Sequence, residues 1–118
     1  FVKSQATKGM NTAQFKTTKE MLIKATETDG INKFIDEHNL DGLIAITRGP
    51  AWSIDKVNGD NSNGGVSTFA AVSGSPHVTI PVAKLHGLPI GLSVMTKFGD
   101  DETAINVAYT LEKILNSH

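Results

Sequence analysis

From Thr12 onward apolar residues recur at helical spacing. Phe15, Met21, Leu22 and Ala25 mark a helix with a thin stripe, and Thr12 is placed to cap it. Asp29 and Gly30 reset the chain. Ile31, Phe34, Ile35 and His38 then fall at i, i+3, i+4 and i+7, one face of a second helix that Asn39 can stop. Leu43 to Ile46 form a short continuous apolar run, which predicts a strand covered on both faces in a parallel or mixed sheet. A long irregular connection spans residues 48–67, with Gly-Pro, Asn-Gly and Gly-Gly signals. "STFAAVSG" predicts a short helix capped by Ser67 or Thr68 and ended by Gly74. "HVTIPVAKL" and "LPIGLSVM" alternate about His86-Gly87, the pattern of a hairpin. Pro81 and Pro89 cannot donate to a ladder and must sit at an edge or bulge. Asp100, Asp101 and Glu102 open a last helix, with Ile105, Ala108, Leu111 and Leu115 expected to face inward. The order predicts an α/β protein with a mixed β-sheet and flanking helices. It reads as one segment over 1–118, loose over 1–11 and structured over 12–118.

Composition narrows the function classes. The chain has 118 residues, 39% of them apolar and 19% charged, as in an ordinary globular domain. Eleven basic residues face 12 acidic ones for a net charge of −1, which leaves no electrostatic footprint for nucleic acid or an anionic membrane. No apolar run reaches the roughly 18 residues a membrane span needs. Without cysteine, disulfides and thiolate metal sites are excluded. These features fit a cytoplasmic protein. The first residue is Phe1 and no signal peptide is visible, so a piece of a longer protein is expected.

The glycine-rich stretch "NGDNSNGGVST" invites three chemical readings, and each fails at its most demanding residue. Gly59 and Gly64 have phosphate-loop spacing, but Gly65 and Val66 stand where lysine and a hydroxyl residue are needed. Asp60, Ser62 and Gly65 resemble half of a calcium loop, but its twelfth position is Ala71 in place of a bidentate glutamate. Ser53-Ile54-Asp55-Lys56 spells S-x-x-K without a helix or companion motifs. His38, His77, His86 and His118 include no pair at metal-ligand spacing. His38 reads as a core or boundary histidine, His86 as a turn residue and His118 as a terminal one. His77, at the start of a strand, is the least easily dismissed. No metal and no cofactor is expected. Trp52, the one tryptophan, either anchors the long loop to the core or lines a pocket, and the two roles are compatible.

Four stretches in order, "LDGLIAIT", "GPAWSIDKVNGD", "AAVSGSPHVTIPV" and "HGLPIGLSVM", resemble the C-terminal portion of an amidase signature family enzyme. The resemblance covers residues 20 to 118. It implies a large mixed sheet wrapped in helices. It also implies hydrolysis of carboxamides by a serine nucleophile, a second serine in a cis peptide and a lysine base, all in upstream parts. No residue here matches a catalytic position. The resemblance assigns this part to scaffold and one wall of the substrate pocket, with Ile46, Thr47, Arg48, Gly49, Pro50 and Trp52 as the candidate wall. The chain departs from the family pattern at Ile46, where proline is usual, and at Ser75, where tyrosine is frequent. The implied partners are a small-molecule amide and the N-terminal part of the same protein. A cut sheet edge would also favour self-association. A second reading is a stand-alone small-molecule-binding or interaction module built on the same fold.

Overall fold

The computed structural model describes residues 1–116, so His118 lies outside the described residues. A single exposed turn, α1 (Val2–Gln5), precedes the first long helix. Thr12 opens α2 (Ala13–Ile23): its backbone is extended and its hydroxyl accepts from the Phe15 N–H at 3.2 Å. No residue of α2 is buried. The chain continues through a wide helical segment, Lys24–Ile31, kinked at Gly30, into α3 (Asn32–Glu37). Asn39 then takes the left-handed conformation (φ 51°) that ends the helix. Ile31 and Ile35 are buried as the pattern requires. Phe34 and His38 are not: both are exposed, and their rings stack on each other 4.3 Å apart. His38 Nδ1 lies 3.0 Å from the Phe34 carbonyl oxygen, so the imidazole serves its own helix end and not a core.

Three strands, β1 (Leu43–Ile46), β2 (His77–Leu85) and β3 (Leu88–Met95), form a sheet in the order β1-β3-β2. Every pairing is antiparallel, with Ile46 opposite Leu92 on one side of β3 and Ile80 opposite Leu92 on the other. His86 and Gly87 both have positive φ (52° and 83°), the geometry of a two-residue hairpin turn matched to strand twist. Pro81 sits on an outer strand beside a bulge, where the register shifts before Ala83. Pro89 lies beyond the last β1 pair, so its missing N–H interrupts no ladder.

Helix α5 (Asp101–Asn116) lies over β2 and β3. Its inward face is Ala104, Val107, Ala108 and Leu111, packed with the Val78, Ile80, Leu92 and Val94 side of the hairpin. Ile105 and Leu115, expected inside, are 61% and 42% exposed. The i, i+3, i+4, i+7 set that meets the sheet starts one residue earlier, at the small Ala104, which lets helix and sheet approach closely. Strand β1 is likewise not covered on both faces. α5 stops short of it, leaving Ile44 58% and Ile46 52% exposed. Its continuous apolar run therefore marks an outer strand with one bare face.

Helix α4 (Ser67–Ser73) ends at Gly74 (φ 75°) as expected. It starts differently: Val66 holds the cap position and makes no side-chain bond, so neither Ser67 nor Thr68 caps it. Ser75, the departure from the family tyrosine, is buried, and its hydroxyl oxygen lies 2.8 Å from Ser73 Oγ.

The molecule is a slab of 54 × 47 × 20 Å with a radius of gyration of 17.7 Å, where a compact chain of this length has about 13.5 Å. Its surface of 9010 Å² exceeds by roughly 2,800 Å² that of a compact monomer of 12.6 kDa. The extended loop, the exposed N-terminal residues and uncovered apolar side chains such as Ile44, Ile46 and Phe69 all contribute to it.

Replacing Ile80 by alanine should lower the unfolding free energy by about 2–5 kcal/mol. The readout is the denaturant midpoint at constant slope. A change within about 0.5 kcal/mol, as for a surface site, would show that the α5 side of the sheet is not the core.

Candidate functional site

The long connection leaves the sheet at Thr47 and returns at Val66, and its two ends are tied together. The Thr47 N–H donates to the Gly91 carbonyl at 2.8 Å, the Val66 N–H donates to the Thr47 carbonyl at 3.2 Å, and Arg48 bridges Gly65. Between these ties the loop is braced by its own side chains. Arg48 Nη2 donates to Ser62 Oγ at 2.6 Å, and its guanidinium lies 5.5 Å from the centre of the Trp52 ring. Trp52 Nε1 donates to Asp60 at 3.2 Å. The residues that suggested an ion or phosphate site thus act as loop braces. Trp52 anchors the loop to itself and to the sheet margin rather than to the core.

Asp55 makes the tightest turn of the loop. Its carboxylate accepts from the N–H of Val57 (2.8 Å), the N–H of Asn58 (2.9 Å) and the side-chain amide of Asn58 (2.8 Å). The Asn58 backbone bond, then the Asn58 side chain, then Val57 hold this carboxyl below the usual carboxylate range, although it is fully exposed.

Beneath the loop, a groove of about 340 Å³ opens between Thr47, Arg48 and Trp52 on one side and Thr79, Pro89 and Gly91 on the other. Of the six residues expected as a pocket wall, Thr47, Arg48, Gly49 and Trp52 line this groove. Ile46 and Pro50 do not. Ile46 pairs with Leu92, whose side chain belongs to the α5 side of the sheet. Gly91 forms the floor by close approach: a Cβ there would lie 2.7 Å from Thr79 Cγ2 and 2.9 Å from Thr47 Oγ1.

The groove side of the sheet carries a chain of polar side chains. His77 Nε2 lies 2.6 Å from Ser93 Oγ, and Ser93 Oγ lies 2.8 Å from Thr47 Oγ1. A serine within reach of an imidazole has the geometry of a nucleophile and its base. Here Ser93 is 0% exposed, so no substrate carbonyl reaches it. Sequence reasoning singled out His77 and missed Ser93, Thr79 and Gly91. The available signal was Ser93 itself, a hydroxyl between Leu92 and Val94 in an otherwise apolar run. Among the described residues no group of three or more His, Asp or Glu side chains could hold a metal ion, and no helix is long and apolar enough to cross a membrane. A larger cleft of about 650 Å³, lined by Phe34, Leu43, Phe69 and Met95 among others, is mainly apolar and lacks such a hydroxyl and imidazole chain.

No protein-family model matches the chain. Over 47 residues, 40% of this chain, it is 43% identical to the A subunits of the glutamyl-tRNA(Gln) amidotransferases of Methanosarcina mazei and of Macrococcus caseolyticus. Among solved structures it is similar to a peptide amidase in complex with the competitive inhibitor chymostatin, with a TM-score of 0.89 and 31% identity over 98% of this chain. The native peptide amidase from Stenotrophomonas maltophilia matches with a TM-score of 0.86 and 30% identity over the same share. This chain carries a segment of the amidase signature fold. It spans 10% of the length of the amidotransferase chains and 23% of the peptide amidase chains. In an amidase signature segment the bare face of β1 and the excess surface have a direct physical reading, because the fold's other elements are not among the described residues.

The lowered Asp55 value sets a pH dependence. Loop stabilisation from this turn is fully present above the ordinary carboxylate range and is lost as pH falls through the lowered value. The titration midpoint of the Asp55 carboxyl carbon by NMR should therefore lie below that of the same aspartate in an unstructured loop peptide. Asn58→Ala should raise it. Equal midpoints in chain and peptide would show that the turn is not formed in solution.

Proposed function

We propose that this segment works within an amidase that hydrolyses carboxamide C–N bonds to a carboxylate and ammonia or an amine. The observation that carries the reading is the match to peptide amidases over 98% of the chain at 31% identity with a TM-score of 0.89. The segment supplies scaffold and one wall of the substrate pocket. Thr47, Arg48, Gly49 and Trp52 form the wall, with Ile46 and Pro50 behind it as its backbone support. Arg48 brings a positive charge to the rim. The described ion pairs, Lys33–Glu37 and Lys97–Asp36, leave it unmatched by a carboxylate. Trp52 adds a flat apolar surface.

The chain lacks a serine, cis-serine and lysine set, so it is inactive alone in this reading. The rest of the fold is its first partner. An excess surface of roughly 2,800 Å² is more than three times what one partner contributes to a standard interface, so the cover it needs is extensive. Deprived of that cover, the free edge of β1 and the exposed Ile44 and Ile46 pair with a second copy.

Two measurements test this. The full-length polypeptide should release ammonia from N-acetyl-L-phenylalaninamide while the 118 residues alone do not. Turnover by the isolated chain would move the chemistry into this segment, and a stand-alone binding module would show no turnover in either form. In light scattering, the isolated chain should behave as a dimer or larger, and Ile44→Lys with Ile46→Lys should shift it toward monomer. A wild-type monomer at high concentration overturns the self-association.

A further inference from the structure

We propose that the Thr47 hydroxyl is a substrate-binding donor, and that Ser93 and His77 are positioning residues that aim its proton into the groove. The inference rests on the amidase reading and goes beyond it by assigning a direction to the hydrogen-bond chain.

The proposal sets the direction at the imidazole and carries it along the row by counting protons. A hydroxyl has one proton to give. With the imidazole hydrogen on Nε2, as proposed, Ser93 Oγ accepts it across 2.6 Å. Ser93 then has its own proton to give to Thr47 Oγ1 across 2.8 Å. That leaves Thr47 with its own proton uncommitted: among the described residues, no acceptor takes it. The chain therefore runs from imidazole through two hydroxyls and ends on a donor at the groove wall. Successive bonds in such a chain polarise one another, which strengthens the terminal donor.

The donor is also held still. The Thr47 backbone is tied through its N–H to Gly91 and through its carbonyl to Val66. The absence of a side chain at Gly91 keeps the space beside Thr47 Oγ1 open. Ser93 is wholly buried, so water does not compete for its bonds. A fixed donor beside the Trp52 ring and the Arg48 guanidinium suits an oxygen acceptor, a carbonyl or carboxylate oxygen of the amide substrate. Because the donor is present before and during the reaction, it contributes to binding in both states and acts on KM more than on kcat.

The closing experiment has two arms. In the full-length polypeptide, with N-acetyl-L-phenylalaninamide as probe, Thr47→Val should raise KM about tenfold with kcat within about twofold. Thr47→Ser should restore KM to within about threefold, and Ser93→Ala should raise it by a smaller factor. In the unmodified 118-residue chain, nitrogen-15 NMR should show a proton bonded to His77 Nε2. An enzyme that turns over but whose KM ignores Thr47→Val overturns the inference while leaving the amidase reading intact. So does an unprotonated Nε2, which needs no variant and is independent of any effect of substitution on folding. A full-length polypeptide without amide turnover defeats the amidase reading, and this inference falls with it.

Discussion

Strand β3 is the constraint on which the rest of the segment depends. It is the one strand paired on both sides, and its two-residue alternation assigns every neighbour to a face. Leu92 and Val94 turn toward α5 and make the core, while Gly91 and Ser93 turn toward the groove. The same register places Ala45 and Thr79 beside Ser93. A slip of one residue would send the hydroxyls into the core and the leucine and valine into the groove. Core and site are thus not separate features. Both are written by one strand, and the His86-Gly87 turn that sets its register also sets which groups meet at the groove.

That coupling explains what could and could not be read from the amino-acid order. Local features were legible because local chemistry decides them: the Thr12 cap, the kink at Gly30, the stop at Asn39, the hairpin turn and the Gly74 terminus. Faces were harder. Ile105 and Leu115 satisfy a helical period, but the sheet selects the face with Ala104, because a small residue admits closer contact. Ile44 and Ile46 looked like an interior strand because periodicity reports hydrophobicity and not what covers it. Phe34 and His38 show the same limit at a helix end, where the two rings cover each other.

The site was half legible for a related reason. Thr47, Arg48, Gly49 and Trp52 follow a strand and open a long irregular loop, where binding groups concentrate. Ser93, Thr79 and Gly91 belong to regular strands 27 to 46 residues further along, and only the antiparallel pairing brings them to the same groove. The glycine-rich stretch misled in the opposite direction. Its polar side chains resembled ligands because the residues that brace an exposed loop, aspartate, asparagine and serine, are also those that bind ions. What separates the two uses is where the donors go. Those of Val57, Asn58 and Trp52 end on Asp55 and Asp60, which satisfies the loop from within.

The polar chain on the groove side has a different logic. Two polar side chains on either side of a wholly buried hydroxyl contribute little net stability, since apolar groups of the same shape pack in such a place at similar or lower free energy. Alanine or valine at position 93 would pack beside its cross-strand neighbours Ala45 and Thr79 without needing a hydrogen-bond partner. Nor does the chain serve to satisfy stray backbone groups, because its bonds run side chain to side chain. Packing alone therefore does not account for His77, Ser93 and Thr47 together. The proposed binding role of Thr47 does, and the row ends where the wall of the groove begins.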